Sequence, residues 1–174
     1  MPDGGADMFS MTVGEIKKLG DSRKVEVLIP DFSGSEDSLK TVIGASPDVV
    51  AHNVETVPRL YPELRSRADY GRSLNVLRTV RKLKPGQLTK SGIMLGLGEK
   101  EDEIFCVMKD LLDAGCDFLS IGQYLAPSKN SYPVKRTIGA EEFELYGRKA
   151  KEMGFKHAES GTYVRTSYRA HLYL

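Results

Sequence analysis

The 174-residue chain lacks tryptophan altogether and has only two cysteines, Cys106 and Cys116. Two cysteines cannot build a disulfide framework or a four-cysteine metal site. Cys106 falls inside an amphipathic helical pattern, Cys116 follows just after it, and neither has a partner at close spacing. We therefore predict that both are small buried hydrophobic side chains rather than metal ligands.

The sequence also lacks an excess of either charge and any long hydrophobic run. Its formal net charge is +1, which indicates neither a nucleic-acid binder nor an acidic tail. No apolar run approaches the roughly 20 residues that a membrane-spanning helix needs. The first ten residues have neither the basic nor the apolar region of a secretory signal. We therefore expect a cytoplasmic protein that binds neither nucleic acid nor membranes.

Short β-branched runs alternate with amphipathic helical patterns along the chain. The predicted strands are 25–29, 48–53, 89–95, 117–124 and 155–160. The predicted helices are 7–19, 35–45, 57–64, 70–83, 101–114 and 141–153. This alternation, with short loops, predicts parallel βαβ units in a single α/β domain over residues 1–174. Four or five strands are too few for an eight-stranded barrel, which leaves an open doubly wound sheet, a partial barrel or part of a larger fold.

Polar residues follow the second predicted strand, at the end where parallel βα folds bind ligands. They are His52, Asn53 and Glu55. Asn53 and Glu55 alternate around Val54, so both point the same way if the strand continues. Such a pair can bind the amino and carboxylate groups of an amino-acid-like ligand. For His52, a structural role is the commoner alternative.

A glycine-rich segment, residues 92–99 (Gly-Ile-Met-Leu-Gly-Leu-Gly-Glu), ends the third predicted strand. Glycines there let the backbone approach a ligand closely, and the following helix offers free N–H groups. Glu99 can cap that helix or accept a hydrogen bond from a ligand. The segment contains neither the full dinucleotide-binding fingerprint nor a Walker lysine, so a tight βα turn remains an equal alternative.

Four segments together resemble the lipoyl synthases, a family of radical S-adenosylmethionine enzymes. Residues 52–59 (His-Asn-Val-Glu-Thr-Val-Pro-Arg) resemble the signature His-Asn-x-Glu-Thr-Val-x-Arg. Residues 89–99 are similar to the family's Lys-Ser/Thr-x-Ile/Leu-Met-Leu/Val-Gly-Leu-Gly-Glu segment, and residues 121–128 to its Gly-Gln-Tyr-Leu-x-Pro-Ser/Thr. Residues 161–168 resemble its terminal Gly-Pro-x-Val-Arg-Ser-Ser-Tyr. Four segments in the family's order are a highly specific resemblance.

The resemblance implies the C-terminal portion of a partial (β/α)6 TIM-like barrel of the radical S-adenosylmethionine type, with an auxiliary-cluster tail at about residues 161–174. It implies a sulfurtransferase of lipoate biosynthesis, which inserts sulfur at C6 and C8 of a protein-bound octanoyl group. The implied cofactors are S-adenosylmethionine and two [4Fe–4S] clusters, of which the auxiliary one is the sulfur source. The implied partner is an octanoylated carrier protein or lipoyl domain.

The resemblance also assigns cofactor contacts to seven residues. The residues that would line the adenosyl part of S-adenosylmethionine are Gly92, Met94, Gly96 and Glu99. Met94 stands where the radical-enzyme strand motif usually has isoleucine. Asn53 and Glu55 would lie on the methionine side of the cofactor, and Gln123 would lie near the adenine.

By the same resemblance, Ser167 is a metal ligand, because it matches a serine whose hydroxyl binds one iron of the auxiliary cluster. Arg165 would neighbour that site, and Thr166 replaces the first serine of the motif while keeping a hydroxyl. The main departure is that the motifs Cys-x3-Cys-x2-Cys and Cys-x4-Cys-x5-Cys are both absent, although thiolates are needed to assemble either cluster. We therefore expect a fragment that is inactive without a missing N-terminal half. The alternatives are one subunit of a split enzyme and a non-catalytic binding relative.

Overall fold

The computed structural model describes residues 1–20 and 22–173, so Leu174 of the predicted tail lies outside the described residues. Its five strands are β1 (Glu26–Leu28), β2 (Val49–Ala51), β3 (Leu88–Leu95), β4 (Phe118–Gln123) and β5 (His157–Gly161). Its α-helices are α1 (Ala6–Lys18), α2 (Glu36–Gly44), α3 (Tyr61–Leu64), α4 (Tyr70–Leu83), α5 (Glu101–Asp113) and α6 (Ala140–Met153). Every predicted strand and helix is present, and the predicted helix 57–64 is a 3-10 turn, Pro58–Leu60, that continues into α3.

All five strands pair in parallel in one sheet, in the order β1-β2-β3-β4-β5. A doubly wound sheet reverses its strand order at a switch point, whereas the strands of a βα barrel follow the order of the chain. The doubly wound alternative is therefore wrong. The sheet is an arc compatible with a partial TIM-like barrel, as predicted.

The outer face of this arc packs against the helices and forms the main hydrophobic core. Ile93, Leu95 and Ile121 project from the strands into a cluster with side chains of α5 and α6, including Met108 and Phe143. In α5 the buried residues recur at helical spacing, at positions 104, 107, 108 and 111. The core thus fixes the helices on the convex side of the sheet.

The two cysteines lie on this helical side, but only one is buried as predicted. Cys116 is buried just before β4, and burial raises the pKa of its thiol to about 12. Cys106 is exposed, so its predicted burial is wrong. The reason is helical phase, because position 106 falls outside the α5 stripe that faces the sheet. Among the residues that the structure describes, no helix is both long and apolar enough to cross a bilayer.

The inner face of the arc carries small and polar side chains beside a small apolar cluster. Strand register places Lys90, Ser120 and Glu159 on this face, where side chains alternate with those of the core face. On the same face, Gly92 pairs with Ser120 and Gly122 pairs with Met94. The chain after β5, residues 162–173 (hereafter the tail), runs back over this inner face, as Val164, Thr166 and Ser167 line a cavity together with the strands.

Candidate functional site

A cavity of about 650 Å³ opens on the inner face of the sheet, between strands β1–β4 and the tail. Five of the eight predicted site residues line it. They are Asn53, Glu55, Gly92, Met94 and Ser167. Since these residues come from the end of β2, from β3 and from the tail, the fold assembles segments that are far apart in the sequence. Gly96, Glu99 and Gln123 do not line this cavity.

Asn53 joins the strand side of the cavity to the tail. Its Nδ2 donates hydrogen bonds to Oε1 of Glu55 at 3.2 Å and to Oγ1 of Thr166 at 2.9 Å. Its Oδ1 is buried and accepts no hydrogen bond from the described residues. Gly92 lies directly beneath, since a Cβ at this position would come within 2.9 Å of that same oxygen. The wall of the cavity therefore contains a buried acceptor without a partner among the described residues, and an amine or a hydroxyl of a ligand is the kind of group that satisfies it.

Glu55 is held in a left-handed backbone conformation, with φ of 67°. Two backbone hydrogen bonds to β3 offset this strain: its N–H donates to the Gly92 carbonyl at 2.9 Å, and its carbonyl accepts from Met94 at 2.8 Å. The predicted pairing of the Asn53 and Glu55 side chains is thus present, although β2 itself ends at Ala51. Glu55 also lines two adjoining cavities, of about 660 and 540 Å³, so this residue borders three cavities.

His52 has the structural role that was the commoner alternative. Its imidazole is 5% exposed, and Nδ1 lies 2.9 Å from the carbonyl oxygen of Ile29, which can only accept a hydrogen bond. Nδ1 therefore carries a proton, and the ring links the ends of β1 and β2. Burial lowers the pKa of His52, so the ring is neutral at pH 7.

Glu99 is directed into its own turn rather than into the cavity. Its carboxylate accepts hydrogen bonds from the N–H of Gly96 at 2.7 Å and of Leu97 at 2.9 Å. The N-terminus of α5 is instead closed by Glu103, which accepts from the N–H of Lys100 at 2.8 Å. The tight-turn alternative therefore describes the observed contacts of Glu99.

Replacing Glu99 tests this assignment. We expect Glu99→Ala to lower the free energy of unfolding by about 1–2 kcal/mol, because two backbone N–H groups of the turn lose a charged acceptor. Urea unfolding followed by circular dichroism measures this change. The matched control is Glu101→Ala, an exposed acid in the first turn of α5. Equal stability of the two variants would show that the turn does not depend on the Glu99 carboxylate.

Gln123, the last residue of β4, likewise directs its side chain to a neighbouring loop. Its side chain is 2% exposed, and strand register directs it to the face opposite Gly122. Its Nε2 donates to the carbonyls of Tyr124 and Arg136, each at 3.1 Å, and its Oε1 accepts from the N–H of Ile138 at 2.9 Å. These three bonds attach the loop between β4 and α6 to the end of β4.

Ser167 lies in the tail, and a buried lysine of β3 holds the residue before it. The Lys90 side chain is 0% exposed, and its Nζ donates to both carboxylate oxygens of Glu26, at 3.2 and 3.0 Å, and to the Thr166 carbonyl. The same Nζ lies 3.7 Å from the centre of the Tyr173 ring. Burial lowers the pKa of Lys90, and the charge of Glu26 opposes that shift. These four residues, hereafter the Lys90 cluster, were not among the predicted site residues. The available sequence signal was strand alternation, which places Lys90 on the same face of β3 as Gly92 and Met94.

The described residues do not form a complete metal site. Nowhere in 1–20 and 22–173 do three or more His, Cys, Asp or Glu side chains come close enough to hold an ion together. Ser167 is thus a single candidate oxygen ligand, and an iron–sulfur cluster needs thiolates. The residues present therefore do not fit a [4Fe–4S] cluster by themselves. The cavity is mainly apolar and is bordered by the polar side chains of Asn53 and Glu55, which fits a cofactor that combines apolar parts with an amine, such as S-adenosylmethionine.

Comparison with known proteins identifies relatives along the whole chain, although no protein-family profile matches it. A lipoyl synthase of Citrifermentans bemidjiense is 54% identical over 174 residues, which is 100% of this chain and 60% of that protein. A lipoyl synthase of Rubrobacter xylanophilus is 54% identical over 171 residues, or 98% of this chain and 53% of that protein. One of Geotalea uraniireducens is 54% identical over 99% of this chain and 61% of its own length.

Among solved structures, a Burkholderia cenocepacia protein described as a phosphonomutase superposes with a TM-score of 0.50. The match covers 90% of this chain and 71% of that protein, at 11% identity, so it supports the fold alone. The sequence relatives are much more informative, because all three carry the same name at an identity of 54%. The resemblance is confirmed: this chain is homologous along its whole length to the lipoyl synthases and spans about 60% of the curated relatives that it matches.

Proposed function

We propose that residues 1–174 act as one domain that forms the S-adenosylmethionine-facing part of a radical S-adenosylmethionine barrel in a cytoplasmic lipoyl synthase. The reaction is sulfur insertion at C6 and C8 of an octanoyl group carried by a lipoyl domain or carrier protein. One observation carries the proposal: a single cavity brings Asn53, Glu55, Gly92 and Met94 together with Ser167 of the tail. The homology supports it independently, because the relatives that span this chain are named for this activity.

The cavity gives each of its residues a task toward S-adenosylmethionine. Asn53 and Glu55 present oxygens that can accept hydrogen bonds from the cofactor's amine, and Gly92 leaves the space that a side chain would fill. Met94 gives the wall an apolar surface. When bound, S-adenosylmethionine supplies the radical that removes hydrogen from an unactivated carbon. The protein's contribution is to orient the cofactor and exclude water.

The iron–sulfur clusters require residues that this chain does not contain. Its two cysteines, Cys106 on α5 and Cys116 on the core side, do not line the cavity. We therefore propose that thiolates from a separate, cysteine-bearing segment, the missing N-terminal half, complete both clusters. In that assembly Ser167 supplies one oxygen ligand to the auxiliary cluster.

The proposal is tested by supplying that segment. The chain is produced with the 40% of the Citrifermentans bemidjiense relative that it does not match, and the mixture is reconstituted anaerobically with iron and sulfide. We expect visible cluster absorbance and, with an octanoylated lipoyl domain, a product that has lost two hydrogens and gained two sulfurs by mass spectrometry. Co-purification without absorbance or product would contradict the proposed activity.

Asn53 tests the cofactor orientation in the same assembly. We expect Asn53→Ala to weaken binding of S-adenosylmethionine about tenfold, since one hydrogen bond in a buried site contributes about 1–1.5 kcal/mol. Equilibrium dialysis with labelled cofactor measures the dissociation constant. Asn75→Ala is the matched control, because Asn75 is exposed on α4. Unchanged affinity of Asn53→Ala would place the cofactor elsewhere.

A further inference from the structure

We propose that Lys90 is the residue that positions Ser167, by fastening the tail to the inner face of the sheet on both sides of that serine. The inference rests on the proposed function only where it gives Ser167 a ligand role. The fastening itself follows from the contacts of the Lys90 cluster: Lys90, Glu26, Thr166 and Tyr173.

The Lys90 ammonium is fully buried and fully partnered. A lysine offers three N–H donors, and here two reach the Glu26 carboxylate and the third reaches the Thr166 carbonyl. A buried charge is costly unless it is paired and hydrogen-bonded. Glu26 balances the charge, but the Thr166 carbonyl is the third acceptor. If the tail left, one donor of a buried cation would lose its partner.

The same cation also contacts the far end of the tail. Tyr173 lies with its ring 3.7 Å from Nζ, packs against the rings of Phe118 at 5.1 Å and His157 at 4.9 Å, and is 4% exposed. Its hydroxyl lies 3.4 Å from Oγ of Ser120. A cation over an aromatic face is attractive, more so when both groups are desolvated. Lys90 therefore binds the residue before Ser167 and the residue that closes the described tail.

Ser167 itself is exposed, and no hydrogen bond of its side chain exists among the described residues. Residue 166 itself receives one further side-chain bond from the strand side, which Asn53 donates to the Thr166 hydroxyl. The position of Ser167 thus depends on how residue 166 is held, by Lys90 of β3 and by Asn53 in the segment that follows β2. A hydroxyl that must meet a metal needs such support, as ligands generally do.

The experiment measures amide hydrogen exchange by mass spectrometry on the 174-residue chain, without iron or S-adenosylmethionine. The variant Lys90→Met with Glu26→Gln removes the pair without leaving a lone buried charge. We expect exchange in residues 165–173 to accelerate about tenfold or more, while β2, β3 and β4 exchange as in the original chain. The control, Arg59→Met with Glu103→Gln, removes an ion pair that does not contact the tail and should change nothing there.

A second variant covers the case in which the double substitution prevents folding. Tyr173→Leu leaves the Lys90–Glu26 pair intact and removes only the aromatic face, so the same local acceleration is expected. In the original chain, NMR should also show the ε-methylene protons of Lys90 shifted upfield by the Tyr173 ring, and Tyr173→Leu should abolish that shift. A lysine that merely balanced Glu26 would show neither effect.

Two results would overturn the inference. Unchanged tail exchange in both variants would show that Lys90 does not hold the tail. Acceleration of tail and sheet in parallel would show a general structural role instead of positioning. Because no iron is present, these outcomes are independent of whether Ser167 binds a cluster, which is tested separately on the assembled enzyme.

Discussion

Gly96→Ala is expected to lower the free energy of unfolding by about 3 kcal/mol, and the midpoint of thermal unfolding by about 10 °C. Gly96 has φ of 96°, a conformation that costs an alanine roughly 1–2 kcal/mol. A Cβ there would also overlap with Nε2 of Gln123 and with the carbonyl oxygen of Arg136. Overpacking of this kind costs typically 1–3 kcal/mol more. Gly96, which the sequence predicts as a cofactor contact, is therefore required for the stability of the fold.

Gly98 is a matched control that separates these two costs. It has φ of 103°, but a Cβ there would lie 3.5 Å from its nearest neighbour, the Lys135 Cγ, which is ordinary contact. Gly98→Ala should therefore show the conformational cost alone, about 1–2 kcal/mol. Guanidinium unfolding of both variants gives the difference. If the two lose equal stability, the close approach of the β3 turn to Gln123 is not tight in solution.

The expected consequence of Gly96→Ala extends beyond the turn. The Gly96 carbonyl accepts hydrogen bonds from the N–H of Lys135 at 2.8 Å and of Arg136 at 3.4 Å, so it holds the loop between β4 and α6. Tyr124 and Tyr132, which line the 540 Å³ cavity beside Glu55, belong to that loop. We therefore expect the loop to exchange its amides faster in this variant, while the tail is unaffected.

The elements of the fold were readable from the sequence because apolar periodicity determines them locally. The α5 stripe and the β-branched runs each require only neighbouring residues. The arrangement of the strands was not readable, because a doubly wound sheet and a barrel arc have the same alternation along the chain. Only long-range packing distinguishes them. Cys106 shows the same limit within one helix, where a small shift of phase turns a buried position into an exposed one.

The candidate site was predictable where strand alternation applies. Gly92 and Met94 share a face of β3, and both line the cavity. The same rule applied to β4 places Gln123 on the face opposite Gly122, and its side chain is found bonded to a loop. The role of Glu99 could not be predicted by such a rule. A carboxylate beside unpaired N–H groups of a turn can accept hydrogen bonds from those groups or from a ligand. In the structure the Glu99 carboxylate binds the turn.

The Lys90 cluster was beyond sequence reasoning for a different reason. Lys90 lies 64 positions from Glu26 and 76 from Thr166 along the chain. A lysine in a strand is usually an exposed residue, so burial at 0% exposure becomes understandable only when both partners are known. The cluster therefore shows how the tail contributes to the site: it supplies acceptors that the sheet alone lacks.

Ser167→Ala is expected to reduce lipoyl formation by the assembled enzyme on the order of 100-fold, because even loss of a residue that supports a ligand costs 10–100-fold. Cleavage of S-adenosylmethionine should stay within about twofold, since the Asn53 and Glu55 side of the cavity is untouched. The iron content per assembled protein should fall in parallel with lipoyl formation. That second readout does not depend on turnover.

Two further variants define what the Ser167 side chain does. Ser167→Thr keeps a hydroxyl and should retain most of the iron, whereas Ser128→Ala removes an exposed serine outside the cavity and should retain all of it. Full iron content and full lipoyl formation in Ser167→Ala would show that the hydroxyl is not a ligand. The tail would then serve only to close the inner face through the Lys90 cluster. If iron is lost in Ser167→Ala but retained in Ser167→Thr, the tail contributes a hydroxyl oxygen to the cavity. That oxygen is held in place through the neighbouring residue Thr166.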